Sequence, residues 1–125
     1  MLVVDRKGNP PETWRAGVET RMLVSASNGT AQLCIFEQWI APGAGAPTHS
    51  HLVEEVLTVR EGEAEMWMDE QRVIVSVGQS LIVPAERKHG FRSDDGRRDG
   101  NGAKVGCRVS ASVVGFRSLD RHARP

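Results

Sequence analysis

The stretch Gly43-Ala44-Gly45-Ala46-Pro47-Thr48-His49-Ser50-His51-Leu52-Val53-Glu54-Glu55, running on to Gly62, sets two histidines two residues apart and a glutamate four residues beyond. Alternate residues of an extended strand share a face, so His49, His51 and Glu55 would project from one side of a single strand. Neutral imidazole nitrogens and a carboxylate suit a divalent Fe, Zn, Ni, Mn or Cu ion. A third histidine, His89, follows a second strand-like segment punctuated by Gly78 and Pro84. The spacing predicts three donors on one rigid element and a fourth from a neighbouring one.

Outward from this stretch the chain reads as short strands between turn residues, with no sustained helical stripe of apolar positions. Strands are expected at 21–26 and 30–40, joined by the Asn28-Gly29 turn signal, then at 55–60, 64–68, 72–77, 80–83, 89–93, 104–109 and 111–116. In the second of these, Leu33 and Ile35 supply the alternation. About ten short strands at regular spacing imply an all-β barrel or sandwich, and a closed barrel leaves room for one small molecule inside. The segment from Ser93 to Gly102 is a polar, glycine-rich loop. One domain spans 1–125, with a core over about 20–117 and a charged tail over 118–125 that holds His122. Residues 1–6, with Leu2-Val3-Val4, form an N-terminal strand that pairs at an edge or is exchanged between copies.

The totals narrow the partners. Sixteen basic and sixteen acidic residues balance, which argues against nucleic acid held by a basic field. No apolar run approaches the ~20 residues of a membrane helix. The start, Met1-Leu2-Val3-Val4-Asp5-Arg6, has no signal-peptide pattern. Cys34 and Cys107 form no C-x-x-C pair, so reduced thiols and a cytoplasmic location are expected, with Cys34 buried in its apolar strand. With no tyrosine in the chain, no phenol can act as acid, base or nucleophile.

At this point the residues resemble a known family. Gly43, His49, His51, Glu55 and Gly62 match every fixed position of the first cupin motif, G-(x)5-H-x-H-(x)3,4-E-(x)6-G. Gly78, Pro84 and His89 match the second, G-(x)5-P-x-G-(x)2-H-(x)3-N. Glu86 stands where the glycine is usual and Ser93 where the asparagine is usual. Glu86 implies either a turn that avoids positive φ or one that tolerates strain there. The resemblance implies a double-stranded β-helix (jelly-roll) barrel. It also implies one divalent transition metal per chain on His49, His51, Glu55 and His89, with open positions for a substrate.

One fold hosts many reactions, so activity is less constrained. The leading expectation is a small-molecule enzyme using the metal as Lewis acid or oxygen activator, of the dioxygenase, isomerase or lyase/cyclase type. The alternative is a non-enzymatic metal- or metabolite-binding sensor. Glu37 is the candidate proton-moving group if it faces inward. Arg21 is a candidate partner for a substrate carboxylate. Trp39, Met66 and Met68 are candidates to line the substrate pocket, since alternate members of 66–68 must face the lumen. A homodimer is expected from apolar positions read as outward-facing: Val56, Val73 and Val75.

Overall fold

The computed structural model describes residues 1–94 and 96–114. The expected tail and His122 lie outside the described residues, as do the last residues of the expected core and Phe116. Among the described residues there are ten strands. They are β1 (Glu12–Arg15), β2 (Val18–Val24), β3 (Leu33–Ile40), β4 (Gly45–His49), β5 (Glu55–Glu61), β6 (Glu63–Met68), β7 (Gln71–Ser76), β8 (Ser80–Val83), β9 (His89–Ser93) and β10 (Cys107–Val114). They form a six-stranded sheet in the order β1-β2-β3-β10-β5-β8 and a four-stranded sheet in the order β4-β9-β6-β7. All the pairings are antiparallel, and many join strands distant in sequence. Two such sheets face to face make the expected jelly-roll barrel.

Period-2 alternation builds the interior. Cys34, Phe36 and Gln38 of β3 lie opposite Val113, Ala111 and Val109 of β10, which in turn oppose Glu55, Leu57 and Val59 of β5. All nine are buried. The facing sheet contributes Ala46, Ala64, Met66, Val75 and Phe91. Burying a Val, Leu, Phe or Met side chain stabilises by roughly 1.5–3 kcal/mol. The apolar interior therefore closes the barrel with no ion required.

Several expectations change. Leu33 and Ile35 face outward, and the core face of β3 belongs to Cys34 and Phe36. Val75 is buried rather than outward-facing, and Val73, on the same face and paired with the buried Met66, also turns inward although it is half exposed. Residues 1–5 form no strand within the chain, and Arg6–Gly8 is a 3-10 turn. A short strand is present instead at β1, where Trp14 packs on Phe36 with ring centroids 5.3 Å apart. Its four residues carry no clear alternation, so nothing in the pattern marked it.

The Asn28-Gly29 signal does join two paired strands, but through a 3-10 turn over Ala26–Asn28. There the Ser25 hydroxyl accepts from the Ser27 N–H, and the Asn28 amide oxygen accepts from the Ser25 N–H. Over Cys107–Val114 the two strands expected at 104–109 and 111–116 run on as one, β10. Glu86 has φ 68°, so its turn adopts the left-handed conformation despite lacking glycine. The Glu86 N–H donates to the His51 carbonyl at 2.7 Å, which ties that turn to the segment bearing the second histidine.

Candidate metal centre

The four expected ligands converge, but by a different route from the one the spacing suggested. His49 is the last residue of β4, in the smaller sheet, and Glu55 is the first residue of β5, in the larger one. His51 lies in the connection between them. The chain switches sheets across these residues, so the three donors do not project from one strand. A register shift between Ala46 and His49 breaks the simple parity as well. His89 opens β9 and pairs directly across the ladder with His49. The donor atoms of His49, His51, Glu55 and His89 all lie within 4.8 Å of one another. Donors about 2.0–2.2 Å from one ion stand at most about 4.4 Å apart, so a few tenths of an ångström of side-chain adjustment closes the set.

The site is dry. His51 is 6 %, Glu55 2 % and His89 1 % exposed. Two main-chain carbonyls orient imidazoles. The His49 Nδ1–H donates to the Pro47 carbonyl at 2.6 Å, and the His89 Nδ1–H donates to the Arg87 carbonyl at 2.9 Å. Each bond turns Nε2 toward the centre, the arrangement that holds metal-binding histidines in the correct tautomer. His49 Nε2 is buried and has no hydrogen-bond partner among the described residues. A buried polar atom of this kind is costly unless something coordinates it. These carbonyls carry no side-chain signature; Pro47, just ahead of the histidines, is the one hint the sequence offered.

Burial lowers the His49 pKa to about 4, against a smaller upward pull from the Pro47 bond. Burial also lowers that of His51, with the Glu55 charge opposing. For His89 burial pulls down too, but the bonds to Glu55 and to the Arg87 carbonyl outweigh it and raise the value. His89 Nε2 stands 3.0 Å from Glu55 Oε1, and His51 Nε2 stands 3.9 Å from the same oxygen. His49 and His51 therefore stay neutral around pH 7, as ligands must. The donor set of three imidazoles and a carboxylate fits a divalent transition ion and leaves coordination positions free on a five- or six-coordinate one.

The other candidate residues separate by face. Met66 and Met68 do line the interior, and Met68 lies directly across the ladder from His89. Glu37, Arg21 and Trp39 do not reach it. They sit on the outer face of the larger sheet, in the same row positions as Ser110, Glu37's partner, and Arg108, Trp39's partner. Glu37 is buried there between Arg6 at 2.7 Å and Arg108 at 3.4 Å. The guanidinium groups of Arg6 and Arg21 lie 5.7 and 5.9 Å from the Trp39 ring centre. The condition for Glu37 as an internal base, that it face inward, is not met.

Fold and centre together define a jelly-roll barrel with a four-donor site for a single metal ion. The cupin domain model matches residues 36–98, and the chain belongs to the cupin family. That span runs from within β3 through β9 and includes all four donors. Solved structures share the fold at low identity. KdgF from a Halomonas species superposes with a TM-score of 0.75 at 15 % identity, over 92 % of this chain and 95 % of that one. The polyketide cyclase RemF from Streptomyces resistomycificus gives 0.74 at 21 %, over 91 % and 79 %. A predicted oxalate decarboxylase from Thermotoga maritima gives 0.74 at 15 %, over 92 % and 100 %. No curated protein matches the chain in sequence. Among the described residues no helix is long and apolar enough to cross a membrane.

Proposed function

We propose that this cupin is a metal-dependent enzyme of small organic molecules, with His49, His51, Glu55 and His89 as ligands to one divalent transition ion. The supporting observation is the buried convergence of four donors with His49 Nε2 left unsatisfied. Such an ion supplies Lewis acidity to a bound oxygen, or activates dioxygen. The chain's own residues position and desolvate. The carbonyls of Pro47 and Arg87 fix two imidazoles, and Met66 and Met68 hold water away from one side.

Around the donors, Glu55's cross-strand neighbours are Val113 and Val83, and His89's are His49 and Met68. None of the added neighbours is an acid or an amine. This favours reactions in which activation occurs at an ion-held oxygen, the dioxygenase, isomerase or cyclase/lyase types.

Metal analysis of untagged protein is the test. About one equivalent of Fe, Zn, Ni, Mn or Cu per chain is expected, and loss of most of it in His51→Ala. Negligible metal, unchanged in the variant, would sink the reading. A cytoplasmic homodimer belongs to the same proposal. It is supported by two free buried cysteines and by Leu33, Ile82 and Val114 exposed on the outer face of the larger sheet. Light scattering that returns a monomer mass would refute the dimer.

A further inference from the structure

Among the described residues no ladder joins the two sheets on either side, and one of the two seams lies between β7 and β8. There β7 ends the smaller sheet and β8 ends the larger. A cavity of about 380 Å³ occupies this seam, within the ~300–1,000 Å³ usual for small-molecule sites. Its apolar walls are Met66, Met68, Val73 and Leu81, with Gln71 and Arg72 at the rim. Met68 is the cross-strand neighbour of His89, so the cavity abuts the strand pair that carries a ligand. Val73 is 50 % exposed although its cross-strand partner Met66 is fully buried. The core therefore leaves an apolar side chain uncovered where the seam opens.

The cavity offers little to a polar guest. Arg72 is held by Glu65 at 3.1 Å and lies over the Trp67 ring, with its guanidinium carbon 4.9 Å from the ring centre. One level deeper the inner face is apolar on both sheets: Phe36, Leu57, Ala111, Met66 and Phe91. Of the polar inner-face residues away from the donors, Ser93 lies four residues along β9 from His89, and Thr20 and Gln38 bond each other at 3.0 Å. Thr20 and Gln38 stand level with Val59, four residues along β5 from Glu55. At about 3.3 Å per residue they are some 13 Å from the donors. Hydroxyls of a polyol bound near the donors would lose water and gain no partner, which a discriminating site does not permit.

Building on the metal-centre reading above, we infer that the substrate has an oxygen-donor head, which meets the ion, and an apolar body, aromatic or branched aliphatic, which lies in the β7–β8 cleft. Polyhydroxylated sugars are excluded. The test compares three 2-oxo acids of one head group and different bodies: pyruvate, phenylpyruvate and 2-oxogluconate. Each is titrated calorimetrically into protein loaded with Ni(II). Phenylpyruvate is expected to bind at least fivefold tighter than pyruvate, and 2-oxogluconate no tighter than pyruvate. Val73→Asn, at an exposed position, should shrink the phenylpyruvate-to-pyruvate ratio at least threefold with nickel content unchanged.

A ratio below fivefold overturns this inference alone if nickel is bound. So does tighter binding of 2-oxogluconate, an undiminished ratio in the variant, or binding of none of the three. Failure to take up nickel, or any other ion in the metal analysis, overturns the metal-centre reading and this inference with it.

Discussion

Two glutamates are buried in the larger sheet to nearly the same extent, Glu55 on its inner face and Glu37 on its outer face. Their partners differ in kind. Glu37 lies between the guanidinium groups of Arg6 and Arg108, which carry charge at every accessible pH. Its demand for positive charge is met by these two guanidinium groups, although its Oε1 makes no well-aligned hydrogen bond. Glu55 lies among three imidazoles, two of which burial keeps neutral, with one Nε2 unsatisfied. The third, His89, has its pKa raised by its bond to Glu55, and a divalent cation in place of that proton would engage all four donors at once. The two buried carboxylates differ in what surrounds them: guanidinium groups at Glu37, and at Glu55 three imidazoles that could share a metal ion with it.

Matched substitutions test this contrast most severely. Glu55→Gln and His51→Ala are each expected to weaken metal binding by at least about 100-fold, since even outer-shell partners of metal ligands commonly contribute 10–100-fold. Metal content after dialysis against a weak chelator reads this. The unfolding midpoint should fall less than the metal content, because the apolar core closes the barrel. Glu37→Gln should do the reverse. Full metal content is expected, with a stability loss of about 1–2 kcal/mol in urea unfolding. Arg6 is half exposed and part of its pairing energy is screened by water. Equal metal loss in the Glu37 and Glu55 variants would abolish the distinction.

The pH response of metal-free protein sharpens the contrast further. His49 has a folded pKa of about 4, below its unfolded value near 6.5. As pH falls from 6.5 toward 4 the unfolded chain takes up a proton that the folded chain refuses, so stability drops across that window. His89, raised in the folded state, acts in the opposite sense. Its contribution is full below pH 6.5 and is lost as pH rises through its folded value. Urea unfolding from pH 7 to 4.5 should therefore show a steeper acid loss in the wild type than in His49→Gln. Parallel profiles would mean that His49 is not desolvated as described. The smallest effect is expected at Leu52, 84 % exposed beside His51. Leu52→Ser should shift stability by no more than about 0.5 kcal/mol and leave metal content intact. A large loss would show that the His51 segment is held by Leu52 rather than by the Glu86-to-His51 main-chain bond.

Much of this was legible in the residues themselves. Alternating apolar positions and Gly/Pro punctuation placed most strands, because period-2 burial writes itself into composition. β1 escaped because four half-exposed residues carry too little alternation. The faces of β3 were misassigned because Leu33, Ile35, Cys34 and Phe36 form a run apolar on both parities, and periodicity has no vote in such a run. Met66 and Met68 were placed inward correctly, since one polarity choice settles a whole strand. Glu37 could not be placed, since its face depends on how β3 pairs with β2 and β10.

By itself the amino-acid sequence determined the all-β class, the four donor residues and their family, because ligand identity and turn chemistry are local properties of residue type and spacing. The tertiary structure alone decided that the donors meet across a switch between two sheets rather than along one strand. It alone set Glu37 on the far face with its arginines, and it alone left a seam open between β7 and β8. Those outcomes depend on strand pairing between residues far apart in the chain, and burial there follows from register, which no local pattern encodes.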